Sequence, residues 1–198
     1  MIRVFLADLH RYHDGPIATR HLVRVILRNY GAQALFAYRL GKSLSAASRD
    51  WRLAPFAALG WLFYFPLRAY ARFALGIRLD LSAEIGTGCY IGHLGNIHLK
   101  RCKLGSHCSI RHSVQIMPAG EGPGPVIGDR VWIGSHARII GPYSIGSGST
   151  VSAAAVVDRN IPDEALCLGN PARVIARPYD NRKFLRLDCK RPGKTPAF

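Results

Sequence analysis

Acidic residues are scarce in this chain of 198 residues, where 12 Asp and Glu stand against 27 Lys and Arg for a formal net charge of +15. The imbalance points to an anionic partner: a phosphorylated cofactor, a membrane face or nucleic acid. The basic residues are dispersed and no nucleic-acid-binding motif accompanies them, so the reading is no nucleic acid. Long hydrophobic runs are also missing. The most apolar stretch, residues 53–67, is fifteen residues long, carries Pro55 and Pro66, and is closed by Arg68 and Arg72. It falls short of the roughly 20 residues that span a bilayer. Two placements stay open: a helix buried against the rest of the chain or another subunit, and an interfacial helix on an anionic membrane. The charged, apolar and small-residue order of a signal peptide is absent, so the expected location is cytoplasmic, with peripheral attachment at the inner face of the membrane as its extension. Five cysteines are an odd number, and Cys89, Cys102 and Cys108 fall in a column of small residues. They read as packed free thiols, with no disulfide and no metal expected.

What the chain does have is a repeat. Large aliphatic residues recur every six positions at Leu79, Ile85, Ile91, Ile97, Leu104, Ile110 and Ile116, then at Ile127, Ile133, Ile139, Ile145, Val151 and Val157. Six matches neither a helix nor a plain strand. It matches a solenoid of triangular coils, three hexapeptides to a coil, each short strand turning one aliphatic side chain inward. Glycine follows the anchor at Gly86, Gly92, Gly105, Gly128, Gly134 and Gly146, where a corner is expected to need backbone freedom. Two places before the anchor the residue is small, as at Ala83, Cys89, Gly95, Cys102 and Cys108. The fold class is therefore mainly β, a solenoid over residues 78–158, preceded by an α-helical region at 1–77 and followed by an extension and basic, mobile tail at 159–198.

The spacing breaks twice. Ile97 to Leu104 is seven residues, one extra at a corner, and Ile116 to Ile127 is eleven. The second break expels residues 117–126, rich in Gly and Pro, as a loop that cannot join a sheet ladder. Loops projecting from a rigid scaffold are where function concentrates. His93 and His112 each stand two residues past an anchor, and Ile91 and Ile110 are one coil apart. The two imidazoles are thus expected on one corner, about 4.7 to 4.9 Å apart along the stack.

The motifs Ile85-Gly-Thr-Gly-Cys-Tyr-Ile-Gly-His93, Ile110-Arg-His-Ser-Val114, Val131-Trp-Ile-Gly-Ser-His-Ala-Arg-Ile-Ile-Gly141 and Gly169-Asn-Pro-Ala-Arg-Val-Ile175 resemble the hexapeptide-repeat acyltransferases, within them the serine acetyltransferase branch. Ala37-Tyr-Arg-Leu-Gly41 is similar to that branch's helical segment, so the likeness covers most of the chain. Tyr90-Ile-Gly-His-Leu-Gly95, preceded by the apolar helix, is more similar to the polysaccharide-cluster members. The resemblance implies a left-handed parallel β-helix, a homotrimer or a multiple of it, acetyl-CoA as donor, and a hydroxyl acceptor. That acceptor is expected to be a sugar of a cell-surface polysaccharide or its lipid-linked precursor, with L-serine as the alternative.

His93 matches the family's catalytic histidine, a base of near-neutral pKa that takes the acceptor's proton, and His112 joins it on geometry alone. The carboxylate that usually orients this histidine is replaced by Arg78; Asp80, two residues on and on the same strand face, is the substitute candidate. An Arg-His pair that serine acetyltransferases carry in the excursion is absent from 117–126, which argues for an acceptor other than serine. Asp14 resembles an acceptor-binding Asp and equally suits an exposed helix cap. Ser135, Ala153 and Arg173 match coenzyme-contacting positions, and Arg159 and Arg173 are candidates for the CoA phosphates. Two other classes compete. A γ-carbonic anhydrase-like zinc lyase shares the β-helix, and His107 and His112 have its five-residue ligand spacing, but their phase against the anchors differs. A non-catalytic assembly or membrane scaffold would account for the apolar helix and the missing carboxylate.

Overall fold

The computed structural model describes residues 2–13, 19–50, 52–92 and 95–189. Four helices come first: α1 (Ile2–Leu9), α2 (Thr19–Arg28), α3 (Tyr30–Ala47) and α4 (Ala54–Phe73). Fifteen short strands follow: β1 (Ile77–Leu79), β2 (Glu84–Ile85), β3 (Tyr90–Ile91), β4 (Ile97–Leu99), β5 (Lys103–Leu104), β6 (Ser109–Ile110), β7 (Gln115–Met117), β8 (Val126–Ile127), β9 (Trp132–Ile133), β10 (Arg138–Ile140), β11 (Ser144–Ile145), β12 (Thr150–Val151), β13 (Val156–Val157), β14 (Leu166–Leu168) and β15 (Arg173–Ala176). α5 (Arg182–Cys189) closes the described chain. Every third strand stacks, giving three sheets in the orders β1-β4-β7-β10-β13, β2-β5-β8-β11 and β3-β6-β9-β12-β14-β15, parallel throughout except the last pair. The inward aliphatic side chains form one continuous buried core down the axis.

The register corrects two sequence expectations. Ile97 pairs with Ile77, whereas Leu99 pairs with both Leu79 and Ile116. Leu99 is therefore the anchor of its coil, and Ile97, not Gly95, stands in the preceding inward column with Val114 and Ala137. The spacing from Ile91 to Leu99 is eight and from Leu99 to Leu104 five, so the extra residues enter between Ile91 and Ile97. The second correction concerns glycine. Gly86 and Gly105 do not adopt positive φ; an added Cβ at Gly86 would sit 2.5 Å from the carbonyl carbon of Gly105, so coil-to-coil approach demands the glycine. The left-handed residues lie two places further on, at His107, Arg130, Ser113, His136 and Ala154, with φ between 53 and 62°. Stacking also continues beyond residue 158: Ile161 bridges to Ile145, and Cys167 pairs with Val151.

Cys89, Cys102, Cys108 and Cys167 are free and buried. Burial pushes the thiols of Cys102 and Cys108 up to about 12, which leaves them protonated packing residues at neutral pH. The excursion leaves β7 and rejoins at β8, with Pro118 and Pro125 buried at its two ends. Arg101 holds it from the neighbouring corner, donating from Nη2 to the Gly120 carbonyl at 2.8 Å and from Nη1 to that of Glu121 at 3.3 Å.

The first coil has no coil before it, and the helical layer supplies the missing partners. The Tyr38 hydroxyl donates to the Ala83 carbonyl at 2.7 Å and accepts from the Ile85 amide at 3.3 Å. Arg39 donates to the carbonyls of Ile85 (2.7 Å) and Gly86 (2.5 Å), and its Nε pairs with Asp8 Oδ2 at 3.0 Å. Asp8 Oδ1 in turn accepts the Cys89 amide at 2.9 Å. The Tyr12 hydroxyl accepts from the Ile91 amide at 2.8 Å and donates to the Ile91 carbonyl at 3.0 Å. Burial raises the Asp8 carboxyl above its ordinary value even against the opposing pull of Arg39, so the pair holds its place through its backbone bonds as much as through charge.

Arg39→Met strands both Asp8 and two strand carbonyls, and it is expected to lower unfolding free energy by about 3 to 5 kcal/mol. Lys103→Met removes an exposed ion pair with Glu84, both side chains about two-thirds accessible, and is expected to change stability by less than about 0.5 kcal/mol. Urea titration of the two variants checks the contrast.

Candidate functional site

The corner after β3, β6, β9 and β12 is built by register. Ile91, Ile110, Ile133 and Val151 stand one above another. Two residues beyond the last three of these anchors the chain places His112, Ser135 and Ala153. His93 and Asp14 lie outside the described residues, so the expected pairing of the two imidazoles is not drawn from the structure. Its lower partner is well defined. His112 Nδ1 lies 3.2 Å from Ser135 Oγ, and the His112 ring meets that of His136 edge-on at 5.3 Å between centroids. Partial desolvation, with the neighbouring His136 and Arg111, holds His112 below its ordinary value. It is therefore a neutral imidazole at physiological pH, able to accept a proton.

Arg159 and Arg173 come together through a residue the sequence reading passed over. Asp158 Oδ1 lies 3.0 Å from Arg159 Nε and 3.4 Å from Arg173 Nη1, on an exposed surface. The Arg159 hydrogen bond, helped by the charge of both guanidiniums, holds the Asp158 carboxyl below its usual range. Asp158 orients the two forks side by side, the arrangement that suits a phosphate oxygen.

Asp80 directly follows β1 and accepts the Ser82 amide at 2.9 Å, an Asx turn. Burial works against its charge, but the bonds to Ser82 and the cations Arg68 and Lys100 outweigh it and hold the carboxyl below its ordinary value. Asp80 shares a cleft of about 140 Å³ with Arg68, Arg72, Arg78 and His98. His98 is the second residue missed. The signal was available, since Leu99 as anchor puts His98 beside Arg78 on the next coil. His107 lies on a different corner from His112, past Leu104 rather than Ile110, and among the described residues no group of three His, Cys, Asp or Glu side chains is arranged for a metal.

No family model matches the sequence. The serine acetyltransferase of Helicobacter pylori is 30% identical over 177 residues, covering 86% of this chain and 95% of its own. Among solved structures, serine acetyltransferase from Brucella abortus in complex with coenzyme A superposes with a TM-score of 0.70 at 26% identity, over 88% of this chain and 67% of that one. Serine acetyltransferase from Neisseria gonorrhoeae in complex with serine gives 0.70 at 25% identity, over 88% and 69%. The chain belongs to the serine acetyltransferase family. It is accordingly a hexapeptide-repeat acyltransferase with a left-handed parallel β-helix. This favours the enzyme over the scaffold and lyase readings. Arg78, at the position where the motif resemblance led to the expectation of a carboxylate, shares its cleft with His98, Arg72 and Asp80.

A proton NMR titration of the His112 ring is expected to give a pKa below 6.5. His136→Asn should move the value upward, because the neighbouring imidazole that opposes protonation of His112 is gone. A wild-type value at or above 6.5 contradicts the assignment.

Proposed function

We propose that this protein transfers the acetyl group of acetyl-CoA to the side-chain hydroxyl of L-serine, with His93 as general base. The observation that carries the reading is the histidine and serine ladder on one corner of the β-helix, in a chain whose relatives are serine acetyltransferases. His93 follows Ile91 by two residues in the sequence, as His112 follows Ile110. In the reaction it takes the acceptor's O–H proton as the oxygen attacks the thioester carbonyl carbon. The tetrahedral intermediate then collapses with breakage of the C–S bond, and the imidazolium returns its proton to the departing thiolate. A neutral imidazole is the form this sequence needs.

Ser135 and Ala153, small residues on the next two coils of that corner, leave room for the pantetheine arm, and the Asp158-oriented pair Arg159 and Arg173 is assigned to the CoA phosphates. Asp80 and His112 are kept as supporting groups for His93, and Asp14 as an acceptor contact. A homotrimer or a multiple of it is part of this reading, because the donor groove needs a second β-helix to close it.

A saccharide hydroxyl is the second reading. Arg78 at the carboxylate position and the lack of an Arg-His pair in residues 117–126 favour it; the serine-acetyltransferase relatives favour serine and outweigh them.

Steady-state assays at fixed acetyl-CoA, with L-serine and a panel of saccharides side by side, decide between the acceptors. Turnover on serine alone is expected, and turnover on saccharide alone overturns the first reading. His93→Ala is expected to lower kcat by about 10² to 10⁴ with coenzyme A binding intact. Near-normal turnover in that variant removes His93 from the chemistry.

A further inference from the structure

Helix α4 carries an apolar surface that no other described residue covers. Ala57, Tyr64 and Ala71 are its only buried residues. They face α3, where Gly41 lies against the Tyr64 ring and Leu44 against Gly60. On the opposite side Phe56, Leu59, Leu62, Phe63, Phe65 and Phe73 are between 59% and 80% exposed. Aromatic rings of this size are rarely left in water in such number on one helix. At about 100° per residue, the helix's two charges, Arg68 and Arg72, fall outside this arc and border it. The arc runs the full length of a 20-residue helix, about 30 Å. Gln33 extends the patch toward α2: it accepts from the Tyr70 hydroxyl and donates to the carbonyls of Ile26 and Leu27, and Leu27 is itself 67% exposed.

Charge chooses the occupant. Residues 1–79 contain twelve Arg or Lys, three Asp and no Glu, and residues 51–79 contain no acid at all. A second copy docked on this face about a twofold axis would bring cationic borders together with no carboxylate on the helix to answer them. A surface of lipid phosphates answers them directly. The cluster continues past the end of α4, where Arg68, Arg72 and Arg78 line one cleft with His98 and a single carboxylate, Asp80, so that the guanidiniums there still outnumber the acid. One face of α4 is committed to α3, so the helix enters a bilayer only to the depth of its outer face.

We propose that α4 seats this protein on an anionic phospholipid bilayer, its aromatic arc in the interfacial region and Arg68 and Arg72 against lipid phosphates. The proposal is independent of the acceptor. It places the solenoid at a membrane surface whether the acetylated molecule is free or lipid-linked.

The test is flotation of the full chain with vesicles of phosphatidylcholine alone and of phosphatidylcholine with about one-third phosphatidylglycerol. The expected result is a bound fraction about tenfold higher on the anionic vesicles, lowered by added salt. The double substitution Phe63→Glu with Phe73→Glu is expected to abolish flotation while acetyl-CoA turnover and the thermal unfolding transition persist, since both rings are exposed. Arg68→Gln with Arg72→Gln is expected to erase the preference for anionic lipid. Absence of flotation on either vesicle overturns the proposal. So does a glutamate variant that floats as the parent does, or one whose only change is a smaller particle in sedimentation, which assigns the face to a second copy. Loss of transferase activity in the parent protein leaves the flotation result standing, so the two readings fail separately.

Discussion

A stack of parallel coils presents, at its first strand edges, a row of backbone amides and carbonyls with no coil to receive them. Here four side chains do the receiving, three from α1 and α3 and one from the turn that follows α1. Tyr38 and Arg39 take the edge at Ala83, Ile85 and Gly86; Asp8 takes Cys89; and Tyr12 takes both polar groups of Ile91. Each of these backbone groups would otherwise be buried unpaired, at about 1 to 3 kcal/mol apiece. The helical region is therefore less a separate domain than a first coil written in side chains. Its docking is close: a Cβ on Gly31 would overlap the Ile91 carbonyl oxygen and come within 2.8 Å of the Tyr12 hydroxyl.

That closure also bears on the chemistry. β3 leads toward His93, the proposed general base, and both outer-edge polar groups of its Ile91 are taken by Tyr12. Below it the corner is rigid by repetition, with His112 and Ser135 fixed by anchors one coil apart. β3 and β6 thus have different supports, the Tyr12 hydroxyl on the outer edge of the first and a sheet ladder on both sides of the second. The second cap at the far end uses other means: β15 turns back antiparallel on β14, and Asn181 donates to the carbonyls of Arg130 and Ser149.

The solenoid was legible in the sequence because one geometric demand, an aliphatic side chain inward at each short strand, repeats at a fixed period. The same regularity misled at Ile97, where a second inward column also carries a large aliphatic residue and only strand pairing separates it from Leu99. The glycines after the anchors were legible, but their cause was not. Close approach of stacked backbones is a relation between coils that no single hexapeptide displays. His112 and Ser135 could be paired from spacing, and so could His98 and Arg78 once Leu99 is taken as the anchor, whereas the pairing of Asp158 with Arg173 could not, since it joins residues fifteen positions apart outside the hexapeptide period. The cap was least legible of all. Tyr12 and Asp8 meet residues about 80 positions later, and nothing periodic announces such a contact. For the apolar segment at 53–67, sequence left burial and membrane contact open; the structure shows two residues, Ala57 and Tyr64, turned inward and the aromatic majority turned out.

The central claim, that helical side chains stand in for a missing coil beside the site, is tested most directly by residue-resolved amide hydrogen exchange on the full chain and on Tyr12→Phe. In the parent protein the Ile91 amide should be protected to the same degree as the Arg111 amide, which donates to the Ile133 carbonyl at 3.0 Å within the ladder. In the variant, exchange at Ile91 should rise about tenfold or more, as loss of one buried hydrogen bond implies, with Arg111 unchanged. An Ile91 amide that exchanges freely in the parent, or that is indifferent to loss of the Tyr12 hydroxyl, contradicts the account.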